Sequence, residues 1–154
     1  MVRMIARPNH EMGEIRTKVR LTNAIDLYRP VKARGRRRKP RQLELEAMVD
    51  TGAVMSGLPV HVVRKLGVGI RSKRVARYAD GRTEAVGVTE PVLFEIEGRD
   101  TVEEAMVLGD EVLIGQTVLE KMDLLADCNR RRLVPHPDRP NQPVINIRNL
   151  GGQR

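Results

Sequence analysis

The sequence is poor in the residues that build aromatic cores, disulfides and metal sites. It has one Phe, two Tyr, no Trp and a single cysteine, Cys128, among 154 residues. A lone cysteine excludes an intrachain disulfide, and the three histidines, His10, His61 and His136, lack the spacing of metal ligands. We therefore expect no metal and no other cofactor. The core must consist of aliphatic side chains, and the Val and Ile content favours β-sheet.

Long apolar segments are also missing. No run of residues is long enough to span a bilayer, and the first residues lack the apolar stretch of a signal peptide. We expect a cytoplasmic, reducing setting, which agrees with the lone cysteine. Residues 1–11 are predicted to be a flexible extension, and the sequence does not decide whether translation starts at Met1 or at Met12.

The positive charge is concentrated in one segment. Residues 29–41, RPVKARGRRRKPR, hold eight of the 28 Lys and Arg residues, and the others equal in number the 20 Asp and Glu residues of the chain. The net charge of +8 is therefore local, and it does not indicate a basic fold. The segment joins two alternating runs and is predicted to be an overlong hairpin loop. If the chain has a nucleic-acid or acidic partner, this segment is the only candidate for the contact.

Two runs alternate between apolar and polar residues, in 13–26 and in 42–50. A period of two predicts strands with one buried face. The residues on the buried faces are Ile15, Thr17, Val19 and Leu21 in the first run, and Leu43, Leu45, Ala47 and Val49 in the second.

Turn signals divide the rest of the chain into short elements. A helix is predicted from Pro59 to Gly67, where the glycine can end it, and a hairpin turns at Asp80 and Gly81. The further predictions are two strands around Gly98, an apolar strand ending at Gly115, helical turns over 116–122, a hairpin near Asn129 and a strand-like run over 143–150. Such a pattern predicts a mostly β domain with a closed or folded-over sheet.

An acid stands where the second alternating strand ends. Asp50, Thr51 and Gly52 follow the strand directly, and alone they are a weak signal, because Asp and Gly are common turn residues. The context is more specific. The run VLIG at 112–115 leads into the predicted helix, and the hairpin YADGR at 78–82 lies between the two segments.

Together these features resemble the retropepsin-like aspartic proteases, in particular their small single-domain bacterial members. The resemblance covers roughly residues 12–136, and LTNAID and RRLVPHP are also similar to such sequences. It implies a mostly β, single-domain closed β-barrel over 12–138, with one or two short helices, completed as a homodimer. Residues 139–154 would form a tail that can supply a strand at the dimer interface.

The resemblance implies an aspartic endopeptidase that acts on peptides or proteins. Hydrolysis by carboxylates needs two acids that share a proton and activate a water molecule. The chain has one Asp-Thr-Gly, so it supplies one catalytic residue, Asp50, and the second Asp50 must come from another copy across a two-fold axis. Thr51 and Gly52 would support the active site.

The resemblance also assigns residues to substrate binding. Ala53 would begin the wall of the binding site, and Tyr78, Ala79, Asp80 and Gly81 would form a flap over an extended peptide. The alternative is an ordinary exposed hairpin.

The sequence departs from the family beside the proposed site. Gln116 and Thr117 stand where retropepsins carry Arg followed by Asn or Asp, and Val54 and Met55 replace the acid that pairs with that Arg. Both halves of the ion pair are missing, so neither charge is left buried alone. How the dimer edge is held is therefore open.

Two other functions are compatible with parts of the sequence. A catalytically silent, peptide-binding dimer could use the same fold, but it would not need Asp50, Thr51 and Gly52 together. A nucleic-acid-binding protein could use residues 29–41, whose cations would neutralise phosphates with steep salt dependence. That segment contains no aromatic residue for base stacking, and no recognition helix or zinc pattern accompanies it.

Overall fold

The structure, a computed structural model, describes residues 13–29 and 32–147. These residues form a mostly β fold with three short helices. The strands are β1 Arg16–Asn23, β2 Lys32–Ala33, β3 Arg36–Arg37, β4 Gln42–Val49, β5 Gly57–Leu58, β6 Ile70–Arg77, β7 Thr83–Thr89, β8 Val92–Ile96, β9 Arg99–Glu103, β10 Met106–Val107, β11 Leu113–Ile114, β12 Leu124–Asp127 and β13 Arg132–Pro135. The helices are α1 Ala24–Tyr28, α2 Val60–Leu66 and α3 Gln116–Met122.

Nine of the strands form one curled sheet in the order β6-β7-β10-β5-β11-β4-β1-β8-β9. Strand β4 lies near the middle, antiparallel to β1 and parallel to β11. Two separate hairpins, β2–β3 and β12–β13, complete the strands of the described residues. The mostly β prediction is confirmed, whereas closure into a barrel and assembly into a dimer stay predictions.

The alternating runs form the paired strands β1 and β4. Ile15, Thr17, Val19 and Leu21 are all buried, as the period of two predicts. On β4, Ala47 is buried, and Leu43, Leu45 and Val49 are partly buried against the core. The opposite faces carry charged residues that remain exposed, so the pattern fixes which side of this pair faces inward.

The core is aliphatic apart from one aromatic ring. Leu21, Leu58, Leu66, Phe94 and Ile114 are completely buried in a single cluster between the sheet and the helices. Burial of each such side chain contributes about 1.5–3 kcal/mol. The scarcity of aromatics therefore leaves a core in which the only Phe occupies a central position.

The first strand ends earlier than the alternation predicts. Residues 24–26 belong to helix α1, because the side chain of Asn23 accepts a hydrogen bond from the backbone N–H of Asp26 (3.0 Å) and caps the helix. The side-chain nitrogen Nδ2 of Asn23 also donates to the backbone carbonyl of Leu66 at the end of α2 (2.9 Å). One buried amide thus stops β1 and joins it to α2.

The other predicted turns and helices are present. Helix α2 ends at Gly67, which has a φ of 63°, and the β6–β7 turn contains Gly81 with a φ of 86°. Both values lie in the left-handed region that glycine adopts without strain. The β8–β9 turn at Gly98, helix α3 and the β12–β13 hairpin also lie where the sequence predicts them.

The segment after β13 is attached to the body by charged groups. The guanidinium of Arg139 donates two hydrogen bonds to the carboxylate of Asp123 (2.6 and 2.7 Å), which also accepts from the N–H of Val144 (3.1 Å). Buried Arg99 donates to the carbonyls of Met122 and Asp123. The bonds from Arg139 and from the N–H of Val144 lower the pKa of Asp123, and the side-chain bond from Arg139 contributes most.

The strand predicted over 143–150 is only partly described. Residues 143–147 form no strand in the single chain, and the rest of that run lies outside the described residues. A strand that requires a second chain stays a prediction. The predicted extension over 1–11 also lies outside the described residues. Within 13–29 and 32–147, no helix has the length and apolar character needed to cross a membrane.

Candidate active site

Asp50 lies at the end of β4, directly beside β11. Its backbone N–H donates to the carbonyl of Ile114 (2.9 Å), and the N–H of Met48 donates to the carbonyl of Val112 (2.9 Å). Parallel pairing of β4 with β11, which is distant in sequence, therefore fixes the position of Asp50 at the point where the chain leaves the sheet.

The loop that follows is closed onto the start of α3. The N–H of Ala53 donates to the carbonyl of Asp50 (3.2 Å), which forms a turn. The carbonyl of Ala53 accepts from the N–H of Gln116 (2.7 Å), and the carbonyl of Val54 accepts from both the N–H and the hydroxyl of Thr117 (3.1 and 3.0 Å). The loop and α3 thus form one hydrogen-bonded unit.

Gly115 makes this arrangement possible. A Cβ atom at this position would lie 2.5 Å from the carbonyl carbon of Met55 and 2.8 Å from the backbone nitrogen of Ser56. Only glycine allows two backbones to approach so closely. The N–H of Gly115 donates to the hydroxyl of Ser56 (2.9 Å), which is 1% exposed. The VLIG strand therefore passes directly behind the Asp50 loop and leads into a helix, as the resemblance implies.

The carboxylate of Asp50 is oriented on one side only. Its Oδ1 accepts a hydrogen bond from the N–H of Gly52 (3.0 Å), whereas Oδ2 accepts none from the described residues. No Lys or Arg of the described residues forms an ion pair with this acid. Asp50 is partly exposed, and Thr51 and Gly52 are exposed. One carboxylate oxygen is thus available to a ligand or to a second acid.

Neutral hydrogen bonds join the Asp50 loop to α3 where the resemblance would place an ion pair. Thr117 joins α3 to Val54 through its backbone and its hydroxyl, without a charge on either side. The structure therefore shows how the segments that begin at Asp50 and at Gln116 are held together without Arg and an acid.

The predicted flap residues lie on the β6–β7 hairpin. The N–H of Tyr78 donates to the carbonyl of Arg82 (2.8 Å), and the N–H of Gly81 donates to the carbonyl of Tyr78 (2.9 Å). The Tyr78 hydroxyl donates to Glu84 (2.6 Å), which raises its pKa. Arg82 pairs with Asp80 and lies 5.2 Å from the centre of the Tyr78 ring. The side chains of the turn therefore contact one another and the adjacent strand β7.

The structure separates the predicted site residues into two groups. Asp50, Thr51, Gly52 and Ala53 share one loop, and residues 78–81 form the tip of the β6–β7 hairpin. No hydrogen bond joins the groups within the described part of the single chain. The flap role of the hairpin stays a prediction.

Two contributors to the site are not apparent from sequence. Both hold the loop through hydrogen bonds between segments distant in sequence. Ser56 accepts from Gly115, which is 59 positions later, and Thr117 donates to Val54, which is 63 positions earlier. In the sequence, Ser56 precedes a glycine and reads as a turn residue, and Thr117 is one of the departures from the family. Only a pairing of β11 with β4 and β5 would have suggested these contacts.

Two cavities lie outside the tip of the Asp50 loop. One of about 530 Å³ is lined by β1, β4 and β8 residues such as Lys18, Glu44 and Glu95, and it does not include Asp50. Another of about 380 Å³ is lined by Met55 and Thr117, among others. Asp50 lines neither of these two cavities, and its side chain is partly exposed in the single chain.

Comparison with known proteins gives similarity to solved structures alone. The sequence matches no family model and no curated protein. The foamy viral protease-reverse transcriptase in complex with an RNA/DNA hybrid matches with a TM-score of 0.44 and 16% identity, over 68% of this chain and 11% of that chain. EIAV protease complexed with an inhibitor matches with a TM-score of 0.42 and 22% identity, over 50% of this chain and 75% of that chain.

The chain thus spans about a tenth of the foamy viral chain that it matches. Both similarities are weak, with TM-scores below 0.5 and identities below 25%.

Proposed function

We propose that this chain is an aspartic endopeptidase whose active site combines two Asp50 residues, one from each subunit of a homodimer. The supporting observation is the pose of the carboxylate. Gly52 holds Oδ1 through its N–H, Oδ2 has no partner among the described residues, and Gly115 braces the loop from behind. A surface turn would not require a backbone contact so close that only glycine fits.

Two adjacent carboxylates supply the chemistry that one cannot. Like charges about 3 Å apart do not both ionise, so the pair keeps one proton. The ionised Asp50 takes a proton from water as the water oxygen attacks the peptide carbonyl. The protonated Asp50 donates its proton to the carbonyl oxygen. When the tetrahedral intermediate collapses, the C–N bond breaks, the amine leaves with a proton, and the new acid is released.

The exposed tip of the loop fits an interface with a second copy. Thr51 and Gly52 are exposed, and the side chain of Val54 is 70% exposed in the single chain. The hydroxyl of Thr51 has no hydrogen-bond partner among the described residues. A two-fold axis beside this loop would bring both acids together, bury Val54 and let each Thr51 bond across the axis.

The β6–β7 hairpin is proposed to grip the substrate. An extended peptide can form hydrogen bonds with the backbone of a hairpin, and these bonds do not depend on the side chains of the peptide. Residues 78–81 would cover the peptide and exclude water. Arg82 and Asp80 form an exposed ion pair within this turn, and Ala53 would contribute to the wall below it.

Replacement of the acid tests this proposal. Asp50→Asn keeps the size of the side chain but removes the group that accepts the proton, so hydrolysis of an extended peptide library should be lost. Asp110→Asn, at an exposed acid in the β10–β11 connection, is the matched control and should retain the native rate. Circular dichroism should show that both variants are folded. Equal cleavage by Asp50→Asn and the native protein would refute the proposal.

A further inference from the structure

The basic segment forms a defined hairpin that the proposed protease chemistry does not use. Strands β2 and β3 pair through residues 32–33 and 36–37, and the turn between them is Arg34-Gly35. Both turn residues have positive φ, 53° and 76°. This is the backbone of a tight two-residue hairpin turn. Arg34 lies in this turn, and Arg36 and Arg37 form the strand that follows it.

The cations on and beside this hairpin have few acidic neighbours, the carboxylate of Asp26 near Arg38 being one. Arg34, Arg36, Arg37, Arg38 and Lys39 are exposed. None of them forms an ion pair with the described residues. Like charges this close repel one another, and a polyanion would relieve that repulsion.

The base of the hairpin is anchored to the body. The guanidinium of Arg41 donates two hydrogen bonds to the carboxylate of Asp26 (2.7 and 2.9 Å), and its backbone N–H donates a third (3.0 Å). The carbonyl of Arg41 accepts from the N–H of Asn23 (2.9 Å). The bonds from Arg41, with a smaller contribution from the charge of Arg38, lower the pKa of Asp26. Arg41 therefore serves the fold and leaves the other cations for binding.

An aromatic ring lies at the start of the segment. Tyr28, the last residue of α1, is 64% exposed and directly precedes residues 29–41. An exposed ring beside arginines can stack on a nucleic-acid base. The sequence segment contains no aromatic residue, but the helix that leads into it supplies one.

The hairpin and the catalytic loop lie at opposite ends of β4. Residue Gln42 begins the strand after the hairpin, and Val49 ends it before Asp50. Eight extended residues span on the order of 25 Å. A partner on the hairpin would therefore leave the Asp50 loop accessible.

We propose that the β2–β3 hairpin binds the phosphate backbone of a nucleic acid, with Tyr28 stacking on a base. Four of its five exposed cations are arginines, whose guanidinium fork matches phosphate oxygens with two hydrogen bonds. A single-stranded nucleic acid supplies both the regular row of phosphates and the accessible bases that this combination fits. An acidic protein would supply carboxylates but no base for the ring.

Fluorescence anisotropy with labelled single-stranded RNA and DNA tests this proposal. The protein should carry Asp50→Asn, so that no self-cleavage disturbs the titration. The binding variant replaces Arg36, Arg37, Arg38 and Lys39 with Gln. The control variant removes the same charge from other exposed strand residues, Lys18, Lys73, Arg74 and Arg132. Thermal melting should show that both variants are folded.

We expect the binding variant to lose at least tenfold in affinity at about 50 mM salt, and the control to stay close to the parent. The slope of log K against log salt is negative, and each lost phosphate contact on a single strand makes it less steep by about 0.7. Four lost contacts should therefore make it less steep by about 3. Tyr28→Ala should weaken binding without changing this slope, because it removes stacking and no charge.

Three results would overturn the proposal. They are equal weakening by the binding and control variants, no binding of either nucleic acid at low salt, and tighter binding to polyglutamate or to phosphatidylserine vesicles than to RNA and DNA. The first would show that only overall charge matters, and the third would assign the hairpin to an acidic protein or to a membrane surface.

Discussion

Two glycines shape the residues around Asp50 in different ways. At Gly52, an added Cβ would lie 3.3 Å from Oδ1 of Asp50, so the methyl group would press on the carboxylate that the backbone N–H holds. At Gly115, an added Cβ would meet backbone atoms of Met55 and Ser56. The first contact concerns the orientation of the acid, and the second concerns whether the loop can pack at all.

Gly115→Ala should therefore destabilise the fold. Its methyl group would lie 2.5 Å from a backbone atom that cannot move alone, and overpacking of this kind costs about 1–3 kcal/mol or more. Urea denaturation measures the loss. Gly69→Ala is the control, because the atoms nearest to its methyl group would belong to the Glu90 side chain, which can turn away with the loss of one hydrogen bond from the N–H of Gly69 (3.2 Å). An equal loss in both variants would contradict the close approach described for Gly115.

The pair of Asp123 and Arg139 predicts a dependence of stability on pH. The folded state lowers the pKa of Asp123, so the pair contributes fully above the unfolded value of about 3.9. That contribution is lost as the pH falls below this value toward the folded pKa. Asp123→Asn should thus be less stable than the native protein near neutral pH, and the difference should shrink in acid.

Urea denaturation from about pH 7 to pH 3 would measure this difference. Asp110→Asn, at an exposed acid, is the control and should follow the native curve. A constant difference between Asp123→Asn and the native protein across this range would show that the carboxylate charge does not stabilise the tail.

At the scale of elements, the Asp50 loop depends on the start of α3. Thr117 bonds to Val54 through both its hydroxyl and its N–H. Thr117→Val removes the hydroxyl bond and keeps the shape, and we expect a loss of about 0.5–1.5 kcal/mol in the free energy of unfolding.

The catalytic rate separates positioning from packing in this variant. If Thr117 positions the loop, Thr117→Val should lower kcat with little change in KM. Thr117→Ser, which keeps the hydroxyl, should have the native kcat and the native stability. A valine variant with native kcat and native stability would mean that the hydroxyl bond is not needed to hold the loop on α3.

The elements also show what sequence can and cannot predict here. The period of two identified the buried sides of β1 and β4, because one face of each strand packs inward. It missed α1, because the cap at Asn23 competes with the strand pattern over only a few residues. The contacts of Ser56 and Thr117 join segments about sixty residues apart. No local pattern encodes such contacts, so the loop was predictable and its support was not.

At the scale of the whole molecule, the described chain presents half of the proposed site. Asp50 is partly exposed, Val54 beside it is exposed, and no Lys or Arg of the described residues forms an ion pair with the acid. Such a chain should be inactive alone, because one carboxylate cannot both donate and accept a proton in the same step. Activity should therefore belong to the pair of chains.

Mixing native and Asp50→Asn chains tests this central claim most directly. Exchange of subunits is first verified by energy transfer between labelled chains, and peptide hydrolysis is then measured at constant total protein. In an equal mixture only native–native pairs hold two Asp50 carboxylates, so we predict about one quarter of the native rate. Asp110→Asn in place of the inactive variant should leave the rate unchanged. A rate of about one half in the exchanged mixture would show that each chain acts alone, and it would contradict the shared site.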